Sequence, residues 1–205
     1  MDGVSEIGAF SALMAGICLS AAAGLRVFIP LLALGLAGRM ELLPLGEQFA
    51  WMTSEPFLIV VGVAAMLEAG AYYIPLVDNM LDVFATPAAL AGGTVIVSSL
   101  LPEMNPVAQW TTAALLGGGT AGIVQTGTVL TRGASTVTSA GLANPLVATG
   151  ETGGSLLAVA LAIFVPVFFG VALVIGLVAL VVWIVRRLAG RRQSGAGNEP
   201  MQPPH

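Results

Sequence analysis

The sequence contains few charged residues and almost none of the residue types that usually carry catalysis. Only 9% of its 205 residues are charged, lysine does not occur, and there is one cysteine and one histidine. A soluble domain typically carries roughly 25% charged residues, so this chain has too few to cover a surface that faces water. The single Cys18 allows no internal disulfide. Seven arginines against eleven acids leave no basic patch for nucleic acid.

The only histidine, His205, lies in the polar, Pro-rich segment that ends the chain. A histidine-based triad, a zinc site or a Glu-x-x-His pair therefore cannot form in the apolar part of the sequence. We expect no enzymatic activity, no catalytic residue, no metal and no cofactor.

Long apolar runs dominate what is present, since 57% of the residues are hydrophobic and the mean hydropathy is +0.94. A helix needs about 20 mostly apolar residues to cross a bilayer. Five stretches meet or approach this length, namely residues 7–38, 56–76, 84–101, 108–131 and 155–185.

The first and last of these stretches are too long for one straight crossing. About 32 residues make a helix of about 48 Å, against a hydrocarbon core of about 30 Å. Gly24 and Pro30 offer break points in the first stretch, and Pro166 and Gly170 offer them in the last. The pattern predicts an all-α, polytopic transmembrane helical bundle of five crossings, or six if a long stretch splits, with broken or re-entrant helices. Residues 1–188 would form one transmembrane domain and residues 189–205 a disordered cytoplasmic tail.

Arginine placement predicts the orientation. Basic residues favour the cytoplasmic side of a membrane, and four arginines close the last apolar stretch: Arg186, Arg187, Arg191 and Arg192. We therefore expect an inner-membrane protein with a cytoplasmic C-terminus. Five crossings then place the acidic N-terminus outside, and Arg132 falls in an outside loop.

Two ionisable residues lie inside predicted spans, Arg26 in "GLRVFIP" and Glu68 in "VVGVAAMLEAG". Charged residues within a bilayer are costly and mark function by default. Both lie near mid-membrane in the five-crossing arrangement, so we expect a direct Arg26–Glu68 ion pair. The pair would either serve gating or ion movement, or neutralise charge and fix helix register.

A second candidate follows in "YYIPLVDNMLD", where Asp78 and Asp82 are spaced to share one helix face. With Asn79 they could offer oxygen ligands to a hard cation. The favoured interpretation is structural, with Asp78 as the N-cap of a helix that starts near Asn79.

The polar stretch at residues 131–154 has no run long enough to span a membrane. Thr136, Asn144 and Glu151 could line a re-entrant, water-accessible cavity, or the stretch could be an ordinary outside loop. Gln125, inside the preceding span, could bond another helix or a ligand. These residues are the remaining candidates for binding an ion or solute.

The glycines of "LLGGGTAGIVQTG", residues 115–127, lack the Lys-Ser/Thr of a phosphate-binding loop. Small residues at three- and four-residue spacing instead indicate a close helix-packing face. Such a face could bind another copy of this chain.

Three segments resemble a bacterial membrane family known as domain of unknown function 4126. They are "GLRVFIPLLALGLAGR", "LEAGAYYIPLVDNMLDVFATPAAL" and "TRGASTVTSAGLANPLVATGE", and the resemblance covers roughly residues 10 to 175. Relatives often carry Asp-Lys where this chain has Tyr72 and Tyr73, and a histidine near the place of Gln125. The resemblance implies a polytopic membrane protein and no particular activity.

Broken segments with intramembrane charge are typical of transporter sites. The first functional hypothesis is thus a small secondary transporter or channel for an ion or small solute. The second is a non-transporting structural or assembly protein that acts through its helix-packing faces. An intramembrane enzyme is the third, although no motif in the sequence argues for one. The expected partners are the lipid bilayer, an unknown small solute or ion, and other copies of the chain.

Overall fold

The computed structural model describes the backbone of residues 2–71 and 75–196, and the side chains of residues 8–71 and 84–187. The chain divides into two units, Met1–Gly170 and Val171–His205. Every regular element in the described part is helical. The eight α-helices are α1 (Asp2–Ala23), α2 (Phe28–Arg39), α3 (Glu55–Ala71), α4 (Pro75–Leu100), α5 (Pro106–Ala113), α6 (Gly119–Ser139), α7 (Asn144–Phe164) and α8 (Pro166–Ala196).

Two shorter helical segments complete the fold. Glu47–Thr53 is a 3-10 helix before α3, and Ala114–Gly118 is a π-helical turn that joins α5 to α6. The all-α prediction is confirmed for the described residues.

Helix α1 lies at the centre of the first unit. It packs against α4, α7, α2 and α6, and its small side chains Ala15, Cys18 and Ala22 are fully buried. Small residues allow helix backbones to approach closely. The hydroxyl of Ser20 donates a hydrogen bond of 3.0 Å to the carbonyl of Gly93 on α4.

The first long apolar stretch is broken where the sequence predicted, at Gly24. Helix α1 ends at Ala23, and α2 begins at Phe28. A Cβ atom on Gly24 would lie 2.5 Å from the carbonyl oxygen of Ala121, so only glycine lets this break approach α6. Pro30 lies in the first turn of α2. Proline is tolerated there because a backbone N–H in the first turn would have no carbonyl partner within the helix.

The last long stretch also breaks, at Val165 between α7 and α8. Helix α8 begins with Pro166, which favours the first turn of a helix. It continues to Ala196, into the segment predicted as a disordered tail, and residues 197–205 lie outside the described part of the chain.

Three helical segments in the described residues are long and apolar enough to cross a membrane: Pro106–Ser139, Asn144–Phe164 and Pro166–Arg187. The 3-10 helix and α3 make a fourth candidate if they count as one span, bent by 62°. Gly8–Ala23, Phe28–Arg39 and Phe84–Leu100 are apolar but shorter. The crossing number of five or six stays a prediction.

Residues 131–154 are not a loop. They form the end of α6 and the start of α7, which meet at a tight turn where Ala140 and Gly141 have φ angles of 52° and 84°. The loop interpretation was wrong because polar residues on the inner face of each helix lowered the average hydropathy. Helical periodicity continues through the stretch.

The predicted glycine packing face mostly contacts another helix of the same chain. Gly117 meets Gly93 of α4 backbone to backbone, and a Cβ on Gly93 would lie 2.6 Å from the Gly117 carbonyl oxygen. Gly118 and Gly122 face α4 as well, whereas Gly119 has open space around it. The face therefore joins the π-helical turn and α6 to α4.

Helices α6 and α7 are polar inside and apolar outside. The buried face of α6 carries Gln125, Thr128 and Arg132, while Leu130 is 69% exposed and Val137 is 87% exposed. A water-soluble helix has the opposite arrangement. This polarity, with several long apolar helices, is that of a membrane-embedded protein.

Candidate functional site

Arg26 lies in the break between α1 and α2 and is one of the most completely buried side chains, at 1% exposure. Its guanidinium contacts one face of α7. Nη1 lies 3.2 Å from Glu151 Oε2, Nη2 donates a 2.9 Å hydrogen bond to the Ala148 carbonyl, and Nε donates one of 3.0 Å to Thr152 Oγ1. These three partners are spaced i, i+3 and i+4, so a single helix face receives the charge.

Glu151 is shared by a second arginine. Arg132 of α6 donates from Nε to Glu151 Oε1 at 3.0 Å and from Nη2 to Oε2. Two parallel N–H donors on one carboxylate make a bidentate pair, the strongest geometry that arginine offers. Glu151 therefore connects α6 and α7 to the helix break.

Glu68 of α3 binds the same break from another side. Its two carboxylate oxygens accept hydrogen bonds from the backbone N–H groups of Val27 at 2.8 Å and Phe28 at 3.0 Å. These N–H groups belong to the first turn of α2, which has no earlier carbonyl to bind them. Glu68 thus acts as an N-cap supplied from a distant helix, and its negative charge favours the positive end of the α2 dipole.

From the sequence, Glu68 is expected to be the direct partner of Arg26. The structure brings both residues to the same helix break, where Glu68 binds the backbone amides of Val27 and Phe28. Between described side chains, the carboxylate that lies within ion-pair distance of the guanidinium is that of Glu151. The physical reason is helix packing. Helix α3 places Glu68 against the backbone that follows Arg26, whereas α7 lies beside the Arg26 side chain.

Among the side chains that the structure describes, the buried charged residues are two arginines and two glutamates: Arg26, Arg132, Glu68 and Glu151. A buried charge is tolerated only when paired and hydrogen-bonded. All four meet at one place, where α6, α7 and α3 surround the α1–α2 break. We refer to these four residues as the buried charge cluster.

An open cavity of about 490 Å³ adjoins this cluster between α6 and α7. Glu151 forms part of its wall, together with Leu25 and the hydroxyl side chains Thr128 and Thr131. Glu151 is thus both a member of the buried charge cluster and a wall of the cavity.

Of the other predicted site residues, Gln125 lies on α6 near the cavity, and Thr136 and Asn144 lie near the α6–α7 turn. Gln125 is buried on the same face of α6, one turn before Thr128. Asn144 Nδ2 donates a 3.3 Å hydrogen bond to Thr136 Oγ1 across the α6–α7 turn. The Asn144–Thr136 hydrogen bond therefore joins the end of α6 to the start of α7.

Asp78 and Asp82 lie in the first turns of α4, which begins at Pro75 rather than near Asn79. Asp78 is therefore inside the helix and does not precede it as an N-cap would. The side chains of residues 72–83 lie outside the described part, so the cation-ligand hypothesis stays a prediction.

Arg132 and Thr152 were not predicted as site residues. Arg132 was placed in an outside loop because the apolar stretch 108–131 ends just before it and the five-crossing arrangement puts that end outside. A signal was present in the spacing, since Gln125, Thr128 and Arg132 recur at i, i+3 and i+7 and so share one helix face.

Comparison with known families identifies the chain. The family model described as "Domain of unknown function (DUF4126)" matches residues 13–187, so the chain belongs to this family. The matched range includes all four residues of the buried charge cluster. No curated protein and no solved structure matches the chain.

Proposed function

We propose that this member of the DUF4126 family is a small transporter or channel that moves an ion or small solute across a bacterial inner membrane. The observation that carries the proposal is the buried charge cluster at the α1–α2 break, next to an open cavity. Helix breaks with functional charge inside the bilayer are the usual architecture of transporter sites.

The α1–α2 break supports the proposal in a second way. Half-helices whose ends meet inside the membrane expose backbone groups that must be satisfied locally. Glu68 satisfies the first N–H groups of α2, and the Arg26 side chain satisfies a carbonyl of α7. Such end groups can exchange a protein partner for a solute, which an uninterrupted helix cannot do.

The proposed topology has five crossings, with the N-terminus outside and the C-terminus in the cytoplasm. Arg186 and Arg187 at the end of the Pro166–Arg187 span support it, because basic residues favour the cytoplasmic side.

A second candidate is a structural or assembly protein that transports nothing. The direct contacts within the cluster favour it, since a fully paired buried network can fix how helices pack without moving anything. Under this alternative the partner would be another copy of the chain or a different membrane protein.

Flux into liposomes separates the two candidates. Purified protein would be reconstituted and screened against gradients of protons, sodium, potassium, ammonium, chloride and small metabolites. We expect protein-dependent flux of at least one of them, lost in Glu151→Gln and kept in Glu55→Gln, whose side chain is exposed at the start of α3. Folded protein that gives no flux above empty liposomes across the panel would favour the assembly role.

A further inference from the structure

The cavity between α6 and α7 presents hydrogen-bond acceptors almost exclusively. The hydroxyl of Thr128 donates its hydrogen to the Gln125 carbonyl at 2.8 Å, and that of Thr131 donates to the Gly127 carbonyl at 2.9 Å. With their hydrogens used inside α6, both oxygens offer only lone pairs to the cavity. Glu151 adds a carboxylate, which is also an acceptor.

The positive charges of the cluster do not form this wall. Of the described residues, the cavity is bounded by Glu151 and by neither Arg26 nor Arg132. Both guanidinium groups bind Glu151, but the charged side chain that lines the cavity is the carboxylate.

The size of the cavity and its apolar lining indicate how large the ligand is and that part of it is apolar. A volume of about 490 Å³ lies in the range of about 300–1,000 Å³ typical of small-molecule pockets. One water or small ion needs only about 30 Å³. Leu25, Val124 and Val147 give the wall an apolar surface that a bare ion would not use.

Two glycines keep the space open. Gly127 of α6 and Gly150 of α7 line the cavity, and a Cβ atom on either would meet nothing within 4 Å. Glycine within a helix is less favourable than alanine. A Cβ atom at either position has open space around it, so we expect larger side chains there to extend into the cavity.

We infer that this cavity binds a small organic amine in its protonated form, with the ammonium group at Glu151, Thr128 and Thr131 and the apolar body against Leu25, Val124 and Val147. An alkylammonium has three N–H donors and no acceptor, which matches a wall of acceptors. Its pKa is near that of lysine, about 10.4, so it is charged at neutral pH. This inference deepens the proposed function by naming the substrate class.

Binding of radiolabelled n-butylammonium to the purified full chain in lipid nanodiscs tests the inference. Butyrate and 1-butanol serve as anionic and neutral probes of similar size. We expect saturable binding of n-butylammonium that an excess of either other probe does not displace. Saturable binding of butyrate or butanol with none of the amine would overturn the inference.

Cavity-filling variants locate the site. Gly127→Val and Gly150→Val should each raise the Kd for n-butylammonium by at least about tenfold. Gly133→Val on α6 and Gly153→Val on α7 are matched controls, because both positions are also open yet lie outside the cavity wall. If one filling variant fails to fold, the other carries the test. Unchanged binding in a folded filling variant, or equal losses in the controls, would refute the location.

The outcome can be separated from that of the transport proposal. Amine binding with no flux of any solute would keep this inference and remove transport. Flux of a different solute, with no amine binding, would keep transport and remove this inference.

Discussion

Arg26 Nη1 lies 3.2 Å from Glu151 Oε2, and both side chains are more than nine-tenths buried. Arg26 lies in the break between α1 and α2, and Glu151 lies in α7, so their contact joins parts of the first unit that are far apart in sequence. Arg132 binds both oxygens of the same carboxylate. Glu151 is therefore an acid that both buried arginines share.

Glu151→Gln should be more destabilising than Arg26→Gln. Removing the carboxylate breaks an ion pair of both arginines, whereas removing Arg26 leaves the Arg132–Glu151 pair intact. Removing one partner of a buried ion pair typically costs about 3–5 kcal/mol. Unfolding equilibria in mixed detergent micelles would measure both variants. An equal or smaller loss for Glu151→Gln would contradict the shared role.

A double-mutant cycle distinguishes the two acids near Arg26. Arg26→Ala combined with Glu151→Ala should recover part of the summed losses, because each residue neutralises the other. The same cycle with Glu68→Ala tests the pairing that we predicted from the sequence. Coupling larger for Glu68 than for Glu151 would show that electrostatics across the helix break outweighs the direct contact.

Glu68→Gln should loosen the start of α2. The amide keeps the shape of the side chain but has one acceptor oxygen in place of two, and it loses the charge that favours the helix N-terminus. We expect a loss of about 1–2 kcal/mol and faster hydrogen exchange at the Val27 and Phe28 amides. Glu55→Gln on the same helix is the control. Unchanged exchange at both amides would argue against capping.

Gly93→Ala should disrupt the packing of α4 against the π-helical turn. The added Cβ would lie 2.6 Å from the Gly117 carbonyl oxygen, and overpacking of this kind costs typically about 1–3 kcal/mol. Gly119→Ala, where space is open, should be neutral or slightly stabilising. Thermal unfolding of both variants in one detergent would check this. Equal melting temperatures would show that the backbones can separate without cost.

Reporter fusions test the topology. Green fluorescent protein, which fluoresces only in the cytoplasm of bacteria, should be bright when fused after Arg192 and dark at the N-terminus. The physical reason is the preference of arginine-rich flanks for the cytoplasmic side. A cytoplasmic N-terminus together with a cytoplasmic C-terminus would require an even number of crossings, which the five-crossing arrangement does not allow.

The sequence by itself determined the class of the protein and the places where its long helices break. Sparse charge and long apolar runs are properties of composition, and composition decides which solvent a chain can face. Gly24 and Pro166 act locally, because glycine disfavours a helix interior and proline has a fixed φ angle. The break at Gly24 and the start of α8 at Pro166 could therefore be predicted from the sequence, whereas the close approach of Gly24 to α6 is set by the tertiary structure.

Only the tertiary structure decided the partners. From the sequence, Arg26 and Glu68 are both buried charges, but nothing local distinguishes Glu68 from Glu151 as the ion-pair acid. Which carboxylate meets the guanidinium depends on how α3 and α7 pack around the break, and Glu68 instead binds the Val27 and Phe28 amides. The spacing of Gln125, Thr128 and Arg132 places them on one helix face, but only the α6–α7 hairpin brings Arg132 to Glu151. Contacts between distant segments are set by packing, and averages of hydropathy along the chain carry no information about them.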